Sequence, residues 1–319
     1  MKLSELVIYR NELVALSTTT IKQAADLELD KVTYAATSAG VLAVESCEKV
    51  TNLRKQIDRS FEEFDQHLIA IKSEIENIVT EQGKFYFQES TTRYEQSINN
   101  RDVQRPEYID LDRHLKMKIP EHDEIFLKTR LSRYANWQCP GMIIHPGHES
   151  YIDVMIANDP LYLIDDRHEL LEPAENRFNE LYQSRLCKYV ITESLMDQPI
   201  LEVVPDNQFG LCLAYNYLNF RPFEVIKQYL KELYQKLRPG GVLVVTINDC
   251  DRGPGIKLVE QKWCYYTPLN LVLDYSRNLG YDIEFTWTDS GASTWIEMKK
   301  PGEFSSLRGG QALAKVIPK

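Results

Sequence analysis

The chain has 319 residues, of which 43% are hydrophobic and 26% are charged. This composition is ordinary for a globular protein, and the length suggests about two domains of ~150 residues each. The 47 acidic residues outnumber the 37 basic ones, and the net charge of −10 disfavours binding to nucleic acid or an anionic membrane. No apolar run approaches the roughly 18 residues that span a bilayer, and the N-terminus lacks an apolar signal-peptide core. We therefore expect a cytoplasmic protein.

The six cysteines occur singly, without a CxxC pair and without the spacing of a zinc module. Several lie in apolar runs, as Cys212 does between Leu211 and Leu213. We therefore expect these cysteines to be reduced thiols, as in a protein of a reducing compartment.

Residues 1–95 contain no proline and only two glycines, which favours a helical region. From Phe61 onward, apolar residues alternate in steps of three and four, at positions 61, 64, 68, 71, 75 and 78. This spacing is typical of a coiled-coil seam, which needs a partner helix. We predict that residues 1–95 associate copies of the chain into a homo-oligomer. The alternative is an intramolecular helical hairpin that turns near residues 37–40.

Residues 96–139 are predicted to be a connector followed by a short helix. The connector contains Pro106 and Pro120, and the helix should run from Glu121 to about Trp137. The side chains expected to face the core are Ile125, Phe126, Leu131 and Tyr134.

Residues 140–298 alternate short apolar strands with amphipathic helices. The predicted strands are Met142–Ile144, Leu161–Ile164, Lys188–Thr192, Phe209–Tyr215, Gly241–Ile247, Ile283–Thr288 and Thr294–Met298. The predicted helices are Leu170–Leu186, Pro222–Leu237 and Pro268–Leu279. This alternation predicts an α/β fold, a doubly wound sheet in which the last two strands form an antiparallel hairpin.

Ligands of an open parallel sheet bind beyond the carboxyl ends of its strands. The residues that follow the predicted strands are His145–Ser150, Asp165 and Asp166, Asn216–Asn219, and Asn248–Asp251. An acid such as Asp165, at the end of the second strand, can accept both hydrogen bonds of a ribose diol. The alternative is that Asp165 caps the following helix.

Residues ~140–298 resemble a class I S-adenosylmethionine-dependent methyltransferase domain, most of all methyltransferase-like proteins of tailed bacteriophages. The segments that carry the resemblance are Leu161–Asp165, Pro205–Asn216 and Leu237–Val245. The resemblance implies a Rossmann-like methyltransferase sheet and S-adenosylmethionine as cofactor. A phage protein would reside in the host cytoplasm or in the virion.

The resemblance also implies roles for individual residues. Asp165 would hold the cofactor ribose, and Gly147 with its neighbours His145 and Glu149 would approach the methionine part. Either Glu193 or Met196 would flank the adenine. The residues implied to line the methyl-transfer face, as catalytic residues, are Tyr215 and Asn216.

The loop after the first strand departs from the family pattern acid-x-Gly-x-Gly-x-Gly. Ile143 stands in place of the acid, His145 in place of the first glycine and Glu149 in place of the last; Gly147 alone is kept. Glycines are normally needed there because backbone passes close to the cofactor. Either Glu149 or Glu193 supplies the missing charge, or the fold is kept without the reaction.

Two other sites are disfavoured. His145, His148 and Glu149, with His168 further on, could suggest a metal, but histidines three apart meet only on a helix, and this stretch should be a loop. We predict no metal site. The residues after the fourth strand contain neither Asn/Asp-Pro-Pro-aromatic nor Pro-Cys, which disfavours DNA base methylation.

Two functions remain open. The first is S-adenosylmethionine-dependent methyl transfer to an unknown acceptor. The second is a non-catalytic methyltransferase-fold scaffold, such as a phage virion or assembly protein, that oligomerises through its N-terminal helices. Residues 299–319 carry five basic residues against one acidic residue, so this tail could dock on an acidic neighbour or remain solvated.

Overall fold

The computed structural model of the protein describes residues 2–15, 44–99, 121–146, 151–176, 178–192, 198–288 and 291–303. The chain divides into two compact units, Met1–Lys84 and Phe85–Lys319. Among the described residues, no helix combines the length and the apolar character needed to cross a membrane.

Within the residues of the first unit that the structure describes, the chain is helical, as the sequence predicts. Helix α1 covers residues 3–15, and helix α2 begins at Val44 and continues to Asn99. Arg10 Nη1 of α1 lies 3.7 Å from Glu76 Oε2 of α2, so the two helices lie side by side at this point. The turn suggested near residues 37–40 lies outside the described residues, and the coiled coil and the domain boundaries remain predictions.

The second unit contains one sheet of seven strands within its described residues. Their order across the sheet is β3-β2-β1-β4-β5-β7-β6, and β7 alone runs antiparallel to both of its neighbours. The strands are β1 (Gly141–Ile144), β2 (Leu161–Asp165), β3 (Leu186–Val190), β4 (Phe209–Ala214), β5 (Leu237–Asn248), β6 (Asp282–Thr288) and β7 (Ser293–Lys299). The doubly wound α/β sheet with a C-terminal antiparallel hairpin is therefore confirmed.

Helices connect these strands. They are α3 (Glu121–Ser132), α4 (Ile152–Met155), α5 (His168–Glu175), α6 (Glu180–Gln183), α7 (Phe223–Lys236), α8 (Gly253–Glu260) and α9 (Leu269–Leu279), with a 3₁₀ turn at Leu218–Phe220. Helix α9 ends as predicted at Gly280, whose φ of 99° is the left-handed conformation that favours glycine. Helix α8 was not predicted from the sequence.

Both faces of the sheet are covered, which explains the near-continuous apolar strands. Along β1, Ile144 belongs to the apolar cluster on one face and Ile143 to the cluster on the other. The same alternation separates Val245 from Val244 on β5. Successive side chains of a strand point to opposite faces, so each face receives its own core.

Three predicted elements differ from the structure. Helix Leu170–Leu186 is instead α5 and α6, because the Asn179 side chain accepts a hydrogen bond from Tyr182 N and begins a new helix. Strand β3 consequently starts at Leu186. Strand β5 starts at Leu237, because the Arg238–Gly241 turn is drawn into the sheet by backbone hydrogen bonds between Gly240, Gly241 and Lys300.

Helix α3 is shorter than predicted and presents a different face. It ends at Ser132, and its buried residues are Glu124, Leu127 and Leu131. Ile125 and Phe126 are exposed, although both were expected in the core. The helical spacing of the buried three explains the difference, since Ile125 and Phe126 project to another side of the helix.

The end of α2 packs within the second unit. Phe87 contacts Phe223 with ring centroids 6.1 Å apart, and the Tyr94 ring meets the Tyr265 ring edge-on at 5.5 Å. Ser90 Oγ accepts a hydrogen bond from the backbone of Tyr266. These contacts attach residues 85–99 to the loop after α8 and to the start of α7.

The described cysteines are free thiols, in agreement with the sequence interpretation. They are Cys139, Cys187, Cys212, Cys250 and Cys264. Burial raises the pKa of the Cys212 and Cys250 thiols well above the usual value, so neither is a reactive thiolate.

Candidate functional site

The strand order of the sheet reverses between β1 and β4. β2 and β3 lie on one side of β1, while β4 and β5 lie on the other, and all five strands are parallel. Parallel strands bring their carboxyl ends to one edge, and the reversal leaves a crevice there. His145 follows β1, Asp165 ends β2 and Asn216 follows β4, so the fold brings these three predicted site residues to that edge.

His145 and Asp165 form a buried pair. His145 Nδ1 lies 3.0 Å from Asp165 Oδ2, and the other carboxylate oxygen, Oδ1, accepts a hydrogen bond from the backbone N–H of Arg167 at 3.1 Å. His145 is 8% exposed and Asp165 is fully buried. Both oxygens of the expected ribose acid are therefore bound by groups of the protein itself.

The backbone of His145 has a left-handed conformation. Its φ is 61°, in the left-handed region that L-residues with a Cβ rarely adopt. Glycine, which the sequence analysis expected at this position, adopts that conformation without strain. The imidazole is tilted against the Tyr217 ring with centroids 5.5 Å apart.

Burial and pairing act in opposite directions on His145. Burial disfavours the imidazolium, but the hydrogen bond and charge of Asp165 outweigh it, and the pKa of His145 is raised. Burial also raises the pKa of Asp165, although the hydrogen bond from His145 opposes that rise. The two groups are coupled, and the direction that the geometry supports best is the raised pKa of His145.

Tyr217 and Arg221 complete this cluster, although no sequence pattern had assigned a role to either residue. The Arg221 guanidinium lies 4.2 Å from the centre of the Tyr217 ring and is fully buried, and its Nη2 is 4.0 Å from Asp166 Oδ2. The Tyr217 hydroxyl lies 2.9 Å from the Tyr229 hydroxyl. An arginine within the apolar stretch Leu218–Phe223 is the sequence signal that could have identified it.

The two residues predicted to line the methyl-transfer face are separated by side-chain direction. Tyr215 is buried in the apolar cluster on one face of the sheet, where its ring is 4.6 Å from that of Tyr151. Asn216 lies at the strand end with a φ of 49°, and its backbone N–H donates to Thr246 Oγ1 at 2.7 Å. Their catalytic roles remain predictions.

A second buried carboxylate lies at the carboxyl end of β5. Burial raises the pKa of Asp249, whose Oδ1 accepts a hydrogen bond from Asp251 N and whose Oδ2 accepts one from Thr294 Oγ1. The bond from Asp251 N is a local side-chain-to-backbone turn.

Four predicted cofactor-binding residues lie outside the described residues. They are Gly147, Glu149, Glu193 and Met196. Within the described part of the chain, no group of three or more His, Cys, Asp or Glu side chains is arranged to hold a metal ion.

The residues at this edge do not fit S-adenosylmethionine as they stand. A ribose diol donates its hydrogen bonds to an accessible carboxylate, but Asp165 is fully buried, with His145 and the Arg167 N–H at its two oxygens. Ile143, in place of the acid that would bind the amino group, is 4% exposed in the apolar core. Contact between a cofactor and Asp165 would require the groups that bury this carboxylate to move.

No known protein family and no curated protein matches the chain. Solved structures similar to it include an S-adenosylmethionine-dependent methyltransferase from Mesorhizobium loti (12% identity, 56% of this chain and 97% of that one, TM-score 0.44). Another is the N-methyltransferase NodS from Bradyrhizobium japonicum WM9 in complex with S-adenosyl-L-homocysteine (12% identity, 56% and 88%, TM-score 0.42). The cyclase SpnF is also similar (14% identity, 56% and 82%, TM-score 0.42).

The strand order and the terminal antiparallel hairpin define the class of the second unit. It is a Rossmann-like, methyltransferase-type α/β fold with a pair of buried ionisable side chains at the strand-order reversal.

Proposed function

We propose that the protein is a non-catalytic scaffold with a methyltransferase fold. The observation that supports this is the state of Asp165, the carboxylate expected to hold a cofactor ribose: it is fully buried, with His145 at one oxygen and the Arg167 N–H at the other. A scaffold keeps the sheet for its stability and its surface, and an internal pair at the strand ends stabilises it without a ligand.

Opening the His145–Asp165 pair has a free-energy cost. Removing His145 from Asp165 leaves a buried carboxylate with one hydrogen bond fewer, which costs about 1–3 kcal/mol. Only the open fraction could bind a nucleoside, so the apparent affinity falls by roughly 5- to 150-fold. The apolar side chain of Ile143 gives no charge with which to recover the loss.

Calorimetry with S-adenosyl-L-homocysteine and the full chain tests this proposal. We expect no binding heat at millimolar ligand for the native protein and for the variants Asp165→Ala and Asp274→Asn. Asp274 is an exposed residue of α9 and provides the control. Micromolar binding that Asp165→Ala abolishes and Asp274→Asn preserves would overturn the scaffold proposal.

Methyl transfer from S-adenosylmethionine to an unidentified acceptor is the second candidate. It is favoured by the position of Asp165 at the end of β2, beside the strand-order reversal. In this candidate Gly147, Glu149, Glu193 and Met196 complete the cofactor site, and Tyr215 and Asn216 line the transfer face. Binding of the cofactor product in the calorimetry is the result that would select it.

The setting of the protein belongs to the same proposal. A scaffold in a phage virion, or one that assists phage assembly in the host cytoplasm, would use the N-terminal helices to join copies of the chain. The basic segment 299–319 would dock on an acidic neighbour.

A further inference from the structure

Helix α2 carries an apolar stripe that its own unit leaves accessible. Phe64 is 47% exposed, Ile71 49% and Ile78 39%, and Leu68 and Ile75 between them are half-buried. The steps between these five residues alternate four and three, which places them on one side of the helix. We call this stripe, residues 64 to 78 at these five positions, the α2 seam.

A second α2 helix is the occupant that this spacing fits. In a coiled coil, seam residues of one helix insert between seam residues of another, and charged residues on both flanks select the partner and its direction. The flanking residues of the α2 seam are Asp65, His67, Lys72 and Glu74, all of them exposed. Their charges therefore distinguish a parallel from an antiparallel pair.

An antiparallel pair centred between residues 69 and 70 brings opposite charges together. In this register Leu68 packs against the partner's Ile71. The flank of Asp65 then faces the partner's Lys72, and His67 on the other flank faces the partner's Glu74. Because the pair is two-fold symmetric, each contact occurs twice.

A parallel pair has no such complementarity. There the flank of His67 and Glu74 faces the opposite flank of the partner five positions further along, which places His67 beside the partner's Lys72 and Glu74 beside the partner's Val79. The first contact opposes two basic side chains, and the second leaves the carboxylate of Glu74 without a charged partner. The charges that flank the α2 seam therefore favour the antiparallel direction over the parallel one.

We propose that two copies of the chain associate through an antiparallel coiled coil of α2, with the α2 seam as its core. The contact of helix α1 through Arg10 and Glu76 lies on a side of α2 other than the seam. This proposal is independent of the function of the α/β unit.

Light scattering on the full-length protein after size exclusion tests the association. We expect a dimer at tens of micromolar protein, and a monomer for Ile71→Asp, which places a charge in the seam. Ile69→Asp is the matched control, because Ile69 is 67% exposed but lies off the seam. The control should remain dimeric, and circular dichroism should show equal helix content in all three proteins.

Two outcomes would overturn the proposal at this stage. One is a native protein that is monomeric, which would mean that another segment of the chain, such as residues 16–43, covers the seam. The other is equal behaviour of Ile71→Asp and Ile69→Asp, which would place the contact elsewhere on the molecule.

Charge reversal tests the direction of the helices. Asp65→Lys should weaken the dimer by about five- to tenfold, because two new repulsive contacts with Lys72 replace two attractive ones. Lys72→Asp should weaken it similarly, and the double variant should restore the native dissociation constant. Failure of the double variant to restore it would exclude the antiparallel register.

Zero-length carbodiimide cross-linking gives an independent readout. In one helix Asp65 and Lys72 are about 10 Å apart, too far for such a link. A mixture of isotopically light and heavy protein should therefore yield Asp65–Lys72 links between light and heavy copies. Their absence in a mixture that is dimeric by light scattering would contradict the antiparallel arrangement.

Discussion

Glu297 and Asp165 are buried carboxylates of the same sheet whose partners differ in kind. Glu297 of β7 accepts two hydrogen bonds from the Arg130 guanidinium at 2.8 Å each, one from the Tyr134 hydroxyl and one from the Trp295 indole N–H. Asp165 of β2 has instead a titratable histidine and one backbone N–H. Both carboxylates are fully buried.

The comparison shows that the partners, rather than burial, decide what a buried carboxylate does. Burial alone would raise the pKa of Glu297, but the hydrogen bonds outweigh it and the pKa is lowered. The carboxylate is therefore a fixed charge that ties α3 to β7. The Asp165 pair can lose its charge or its contact, because an imidazole releases its proton far more readily than a guanidinium.

The largest expected effect comes from removing Glu297, whose carboxylate accepts four hydrogen bonds. Glu297→Ala should lower the free energy of unfolding by about 3–5 kcal/mol, because it leaves Arg130 charged and largely buried without its partner. Glu284→Ala, on the neighbouring edge strand, should change stability by less than about 0.5 kcal/mol. Urea denaturation measures both, and a loss below 1 kcal/mol for Glu297→Ala would contradict the assignment of a fixed structural charge.

Breaking the His145–Asp165 pair should lower the free energy of unfolding by less than removing Glu297. Asp165→Asn should lower the free energy of unfolding by about 1–3 kcal/mol, because it removes a charge-assisted hydrogen bond while His145 can become neutral. Asp274→Asn, an exposed change, is the control. If Asp165→Asn costs as much as Glu297→Ala in the same urea titration, the proposed difference between the two clusters is wrong.

The third prediction concerns pH. Because the pKa of His145 in the folded protein lies above its ordinary value of 6.5, the folded state binds this proton more tightly than the unfolded chain. The stabilisation is complete below pH 6.5 and is lost as the pH rises through the folded-state pKa. The slope contributed by this group is at most about 1.4 kcal/mol per pH unit.

His145→Asn, which cannot titrate, should remove that slope. The measurement is the free energy of unfolding of both proteins from pH 5.5 to 9. His122→Asn, a change at an exposed histidine, should keep the slope. A variant at position 145 with an unchanged pH profile would show that another group carries the dependence.

The smallest effect concerns the backbone at position 145. His145→Gly and His145→Ala both remove the imidazole, but only glycine adopts a φ of 61° without strain. The glycine variant should therefore be more stable than the alanine variant by about 1 kcal/mol. Thermal unfolding of the two variants side by side measures the difference, and a more stable alanine variant would place the residue in another conformation.

The strands and the class of fold could be predicted because their signals are local. The apolar run of β5 requires cover on both faces, and Pro268 and Gly280 bound α9 as their conformational preferences require. The prediction failed at two element boundaries, one set by a side-chain cap and the other by backbone pairing with a distant residue. The cap at Asn179 divided one predicted helix into two, and backbone pairing with Lys300 extended β5.

The position of the candidate site could be predicted from the sequence, but the contact between His145 and Asp165 could not. The pattern placed His145 and Asp165 at adjacent strand ends, since parallel strands share an edge. Whether the imidazole binds Asp165 depends on how it packs against the Tyr217 ring. The spacing of residues in the sequence does not predict that packing. Arg221 was missed because its partners lie on another strand end and on its own loop.

The sequence by itself determined the alternation of strands and helices and the coiled-coil spacing of α2, because each depends on neighbours within a few residues. The tertiary structure alone decided which buried charges meet. Arg130 reaches Glu297 and His145 reaches Asp165 only after the sheet has set its register, because a hydrogen bond between distant residues requires both side chains to be brought within about 3 Å.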